Sequence, residues 1–337
     1  MRMIQVNQAK IPRALSKQAN STEEDQMQKS ALPVKTREYD QHPLIDGKRW
    51  QAITVRPDDI IISTSYKAGT TWMQTIVANL LYQDGKFPGA LTTLGPWLDM
   101  NGPPLEPTAA GLEAQTNRRY IKTHLPLDGF EYHAEPKHIV VGRDARDVFM
   151  SMWNHHSKYT EQMKSEMTAF AKDIGRDFKL DYDDIRTFWK DWITTAWFEW
   201  ENDGYPYWSH LHHIQSWWDY RHLPNMAFVH YGDLLADPES EIRRLAAFLK
   251  IELQEEYVPD ILDRISFKSM KANFESIMAG SENVWKGGSD AFMNKGTNGR
   301  WRDVLTADDL KLYDEAVARA MTLDAAHWLE NGGPVEG

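Results

Sequence analysis

Asp59-Ile60-Ile61-Ile62-Ser63-Thr64-Ser65-Tyr66-Lys67-Ala68-Gly69-Thr70-Thr71-Trp72 is the stretch on which the fold turns. Ile60 to Thr64 is a short apolar run bounded by polar residues, which reads as a buried strand. Thr71 to Leu81 then places Trp72, Met73, Ile76, Val77, Leu80 and Leu81 at helical spacing. The turn between them suits an anion. Gly69 lets the backbone approach it closely, and the free amides at a helix start point toward it. The helix dipole favours negative charge there. Thr70 and Thr71 add hydroxyl donors, Lys67 adds a point charge and Trp72 offers a flat face for a base. The turn is not a Walker A motif, because its lysine precedes the glycine.

Outward from this unit the same alternation continues. Arg119 to Thr123, His138 to Val141 and Met226 to His230 read as strands, with Tyr231 at the end of the last. Asp144 can cap a helix after the third of the four strands, and Glu239 to Leu249 is amphipathic. Strands separated by helices predict a single α/β domain with a mainly parallel central sheet flanked by helices. Ligands of such sheets bind outside the carboxyl ends of the strands. Residues 1–40 are polar and read as an N-terminal arm, with the domain over 41–330. Residues 275–300 read as a long loop of the kind that forms lids.

Composition narrows the function. The 337 residues include no cysteine, which excludes disulfides, thiolate catalysis and Cys-ligated metals, and fits a cytoplasmic protein. A net charge of −11 argues against a nucleic-acid-coating protein while leaving room for a local basic pocket. No signal peptide or membrane-spanning run is evident. Of 14 tryptophans, several fall between Trp189 and Trp218, as core or as the wall of a cleft. His155, His156, His210, His212 and His213 are close in sequence, yet aromatic packing or the acceptor cleft accounts for them better than zinc does, and no metal is expected.

Four motifs in order carry a resemblance over roughly residues 45 to 325. Lys67-Ala68-Gly69-Thr70-Thr71-Trp72 resembles the 5′-phosphosulfate loop of the cytosolic sulfotransferase family, usually K-S-G-T-T-W, with Ala68 replacing the serine. Lys122-Thr123-His124-Leu125-Pro126 resembles the family's K-T-H-L-P. Gly142-Arg143-Asp144-Ala145-Arg146-Asp147, with Ser151 downstream, resembles its 3′-phosphate segment. Asn294-Lys295-Gly296-Thr297-Asn298-Gly299-Arg300-Trp301 resembles its R-K-G-x-x-G-D-W loop, with Asn294 in place of arginine and Arg300 in place of aspartate.

The resemblance implies a P-loop-kinase-like sulfotransferase fold. The implied reaction is transfer of a sulfuryl group from 3′-phosphoadenosine-5′-phosphosulfate (PAPS), with PAP as product, to an alcohol, phenol or glycolipid sugar. It makes His124 the general base and Lys67 and Lys122 the groups that stabilise the transition state. Arg143 and Ser151 bind the 3′-phosphate; Trp72, Tyr231 and Phe267, with Met270 beneath, hold adenine; Asn294, Lys295 and Gly296 cover the nucleotide. A small-molecule or lipid acceptor is implied, its wall sought in 95–107 and 188–218. The family's dimer segment lacks its valine and glutamate here, so that dimer is not assumed. The alternatives are a P-loop-type nucleotide phosphotransferase and a non-enzymatic nucleotide-binding relative.

Overall fold

The computed structural model describes residues 32–279 and 283–335. Four strands form one sheet: β1 (Ile60–Thr64), β2 (Tyr120–Thr123), β3 (Lys137–Gly142) and β4 (Met226–His230), in the order β2-β1-β3-β4. Every pair is parallel, with Ile60 opposite Tyr120 and Lys137, and His138 opposite Met226. The near-continuous apolar runs have a physical cause, since both faces are covered. Ile61, Ile121, Val140 and Phe228 belong to one core cluster, whereas Ile60, Ile62, Ile139, Val141 and Val229 belong to another.

The second cluster is completed by α1 (Thr70–Leu81), through Ile76, Val77 and Leu80. The first is completed by α2 (Ala145–His156), α3 (Ile185–Thr194) and α4 (His210–Trp218). Two further helices follow β4: α5 (Tyr231–Ala236) and α6 (Pro238–Leu249). Tyr231 therefore opens a helix rather than ending a strand, because the His230 side chain accepts from the Gly232 amide and caps it. Within the long 275–300 segment, Gly288–Phe292 is a short helix.

Strand order creates the site. The chain leaves β1 for β2 on one side and leaves β3 for β4 on the other. A crevice opens at the carboxyl ends of β1 and β3, where connections diverge. The opposite ends are clamped by Arg119, fully buried, whose guanidinium reaches Asp59 at 2.6 and 2.8 Å and the Thr54 carbonyl at 2.8 Å.

Most of the expected arm, residues 1–31, lies outside the described residues. Thr36 and Arg37 donate their amides to the Asp128 carbonyl at 2.8 and 2.9 Å. Tyr39 is fully buried and bonds Glu201, so the packed chain begins before residue 40. Among the described residues no helix is long and apolar enough to cross a membrane.

Candidate active site

One cavity of about 490 Å³ opens at those strand ends, and it gathers residues from all four sequence motifs. Lys67, Gly69, Thr70, Thr71 and Trp72 line it from the β1–α1 turn, and Lys122 and His124 from the end of β2. Arg143 directly follows β3 and Ser151 lies on α2; Tyr231, Phe267, Met270, Asn294, Lys295 and Gly296 close the far side. Ala68 contributes no side chain, being fully buried in the core cluster. The tryptophans of 188–218 are likewise core, and none lines the cavity. Its apolar wall is Trp97 and Met100 with Tyr159, Met163, Trp285 and Phe292.

The β1–α1 turn folds as its composition demands. Gly69 has φ +121, and a Cβ there would meet the Tyr231 ring at 2.9 Å. Glycine is thus required both by the backbone and by the neighbouring ring. Gly69 caps α1 without any side chain, and the first helical bond runs from the Met73 amide. The amides before Met73 are left for an anion. Thr70 is tied to Thr64 through their hydroxyls at 2.5 Å.

Three cations crowd this helix start. Lys67 Nζ sits 4.0 Å from the centre of the Phe292 ring, Lys122 Nζ 4.7 Å from Trp97, and the Arg143 guanidinium 4.0 Å from Tyr231. None of them is ion-paired among the described residues, whereas Arg146 is paired with Asp144 at 2.7 Å. Burial, then Lys122 and Arg143, lowers Lys67 to about 7; burial lowers Lys122 to about 8. Arg143 is depressed by burial as well. A buried cluster of like charges is an anion site by its electrostatics.

His124 is placed as a base needs to be. Its Nδ1 lies 2.6 Å from the Thr64 carbonyl, which can only accept, so Nδ1 carries the proton and Nε2 keeps its lone pair. Burial, then Lys122, holds the imidazole well below its ordinary value, so the ring is neutral at pH 7. Asp99 orients the same turn: it accepts from the His124 amide at 3.1 Å, from the Trp97 indole at 3.0 Å and from the Trp50 indole at 3.2 Å.

On the opposite side, Trp72 and Tyr231 meet edge to face at 5.1 Å, and the Trp72 Nε1 is buried without a partner. A Cβ on Gly296, at φ +64, would meet the Phe267 ring at 2.5 Å, so ring and loop are in contact. Arg143 donates to Asn298 Oδ1 at 3.0 Å and to the Thr297 carbonyl at 3.1 Å, and Asp147 accepts from the Gly299 amide at 2.7 Å. Arg300 also lines the cavity and donates to Asn294 Oδ1 at 3.3 Å, with its Nε buried and unpartnered. Arg300 thus brings a guanidinium to the cavity beside Asn294. Trp97 and Met100 fall in the 95–107 stretch where the acceptor wall is expected, whereas no local pattern signals the hold of Asp99 on the His124 turn. Among the described residues no group of three or more His, Asp or Glu could hold a metal ion.

Comparison with known proteins agrees on one family. A family model described as a sulfotransferase domain matches residues 57–324. A glycolipid sulfotransferase of Mycobacterium tuberculosis is 30% identical over 308 residues, covering 86% of this chain and 93% of its own. Sulfotransferase 1A1 of Rattus norvegicus is 30% identical over 283 residues, covering 81% and 87%. A mouse sulfotransferase crystallised with PAP shares the fold at a TM-score of 0.62 and 19% identity, covering 83% of this chain and 92% of that one.

Proposed function

The chain belongs to the sulfotransferase domain family, and we propose that it moves a sulfuryl group from PAPS to a hydroxyl on an acceptor with an apolar body. One observation carries the reading: unpaired Lys67, Lys122 and Arg143 share a cavity with an uncapped helix start and the lone pair of His124. The relatives named glycolipid sulfotransferases and the apolar wall around Trp97 and Trp285 favour a small-molecule or lipid acceptor.

The residues fit a nucleotide with two phosphate ends. The amides of Gly69 to Trp72 and the α1 dipole hold the 5′ end, while Arg143, Ser151 and Lys295 hold the 3′-phosphate, joined by Arg300. Trp72, Tyr231, Phe267 and Met270 take the adenine, and the orphaned Trp72 indole gives that side an unused donor. When bound, PAPS supplies an activated sulfuryl group on a leaving group that departs as a bisphosphate. His124 Nε2 takes the acceptor's hydroxyl proton, and Nδ1 keeps its own on the Thr64 carbonyl. Lys67 and Lys122 face the oxygens on which negative charge grows. They supply the positive charge that a metal ion supplies in phosphoryl transfer.

The test joins calorimetric titration with PAP to transfer of labelled sulfate from PAPS, with chelator present, to phenols, sterols, alkyl alcohols and glycolipids. The expected result is PAP binding and chelator-insensitive transfer to one acceptor class. A protein that ignores PAP, or that moves phosphate from ATP only with magnesium, overturns the reading.

A further inference from the structure

His155 and His156 end α2, both are buried, and the chemistry above uses neither. Phenol hydroxyls lie between them, and the hydrogen-bond directions can be worked out from each end. His156 Nε2 lies 2.6 Å from the Leu180 carbonyl, which only accepts, so that nitrogen bears a proton. Burial lowers His156 to about 4, leaving the ring neutral and its Nδ1 a bare lone pair. The Tyr207 hydroxyl, 2.9 Å from Nδ1, must therefore donate to it.

Tyr207 has only that one proton, and its oxygen lies 3.4 Å from the Tyr159 hydroxyl, beyond the length of a hydroxyl hydrogen bond, so the directions on the far side are set from the Lys67 end. His155 Nδ1 stands 3.1 Å from Lys67 Nζ, and an ammonium has only protons to give, so Nδ1 accepts. His155 is held neutral by burial, then by Lys67, so its one ring proton sits on Nε2. Nε2 donates it to the Tyr66 hydroxyl, 2.7 Å away, and Tyr66 gives its own to Tyr159 at 3.1 Å.

We propose that His155 is a positioning residue, which holds the Lys67 amine through an Nδ1 kept bare because its ring proton is engaged at Nε2 by the Tyr66 hydroxyl. Lys67 needs a tether. It leaves a backbone with φ +69 on a flexible stem, and Lys122 and Arg143 both repel it. Apart from the Phe292 face, His155 is the only group described that holds its amine. One ammonium proton is taken and two remain for an anion. The expected effect on turnover rests on the role proposed above for Lys67; the hydrogen-bond chain does not.

The test begins with nitrogen NMR of the histidine side chains in the full-length protein without nucleotide. His155 is expected as a single Nε2–H tautomer, and Lys67→Met should move its Nδ1 signal toward that of an unbonded acceptor. A wild-type Nδ1–H form, or an Nδ1 signal indifferent to Lys67→Met, overturns the proposal. In turnover, His155→Phe should lower kcat by about ten- to a hundredfold with PAP affinity unchanged, and His155→Gln, which restores an acceptor, should recover most of it. Equal kcat in the two variants, or a loss confined to the acceptor KM, also overturns it. Should PAP fail to bind the wild type, the donor-site reading falls while the NMR result stands by itself.

Discussion

Lys67 and Lys122 are buried amines without an ion pair among the described residues, and their titration should reveal it. Burial first, and neighbouring cations for Lys67, brings them to about 7 and about 8 from an ordinary 10.5. Between those values and 10.5 the folded chain binds fewer protons than the unfolded one, so stability rises with pH across that window. Without ligand, Tm should climb from pH 7 to about 9.5. The climb should flatten when both lysines become Met. An anion reverses the preference, so PAP binding should take up protons near pH 8, read by calorimetry in buffers of different ionisation enthalpy. Proton release on binding would contradict the assignment. His124→Ala should cost about 10²–10⁴ in kcat while PAP still binds. The His124 motif is visible in the sequence. What frees its Nε2 is not, since the Thr64 carbonyl that holds Nδ1 belongs to another strand. His155 is hidden for the same reason, its partners lying far along the chain.

Elements were readable wherever burial left one pattern. β1 and β3 are covered on both faces, and their uninterrupted apolar runs announce it. Aromatic residues of 188–218 carry no such signal, because a tryptophan spaced for a helix looks alike in a core and in a cleft wall. Asp99 and Trp97 reach the site from an irregular segment without periodicity. The β1–α1 turn was legible because glycine, threonine and strand–helix punctuation all state one conformation. Gly69→Ala tests that turn: positive φ and the Tyr231 ring together should cost about 1–3 kcal/mol by denaturant titration. PAP affinity should fall with it, as the helix start shifts. An unchanged midpoint would show that the turn relaxes freely.

Across the whole molecule, rigidity and chemistry occupy opposite ends of one sheet. Arg119 and Asp59 are fully buried at the amino ends of the strands, far from any role with a ligand. Arg119→Met strands a carboxylate in the core and should cost about 3–5 kcal/mol, with kcat per folded molecule unchanged. Thermal melts paired with active-site titration separate the two quantities. Thr36 and Arg37, gripping the Asp128 carbonyl just beyond the histidine turn, join this picture from a third direction. With Tyr39 fully buried and bonded to Glu201, they tie the start of the packed chain to the segment that follows His124. A chain trimmed to start at residue 41 should keep its circular dichroism yet turn over poorly, and a nick by a protease at 34–40 should silence the enzyme before it melts.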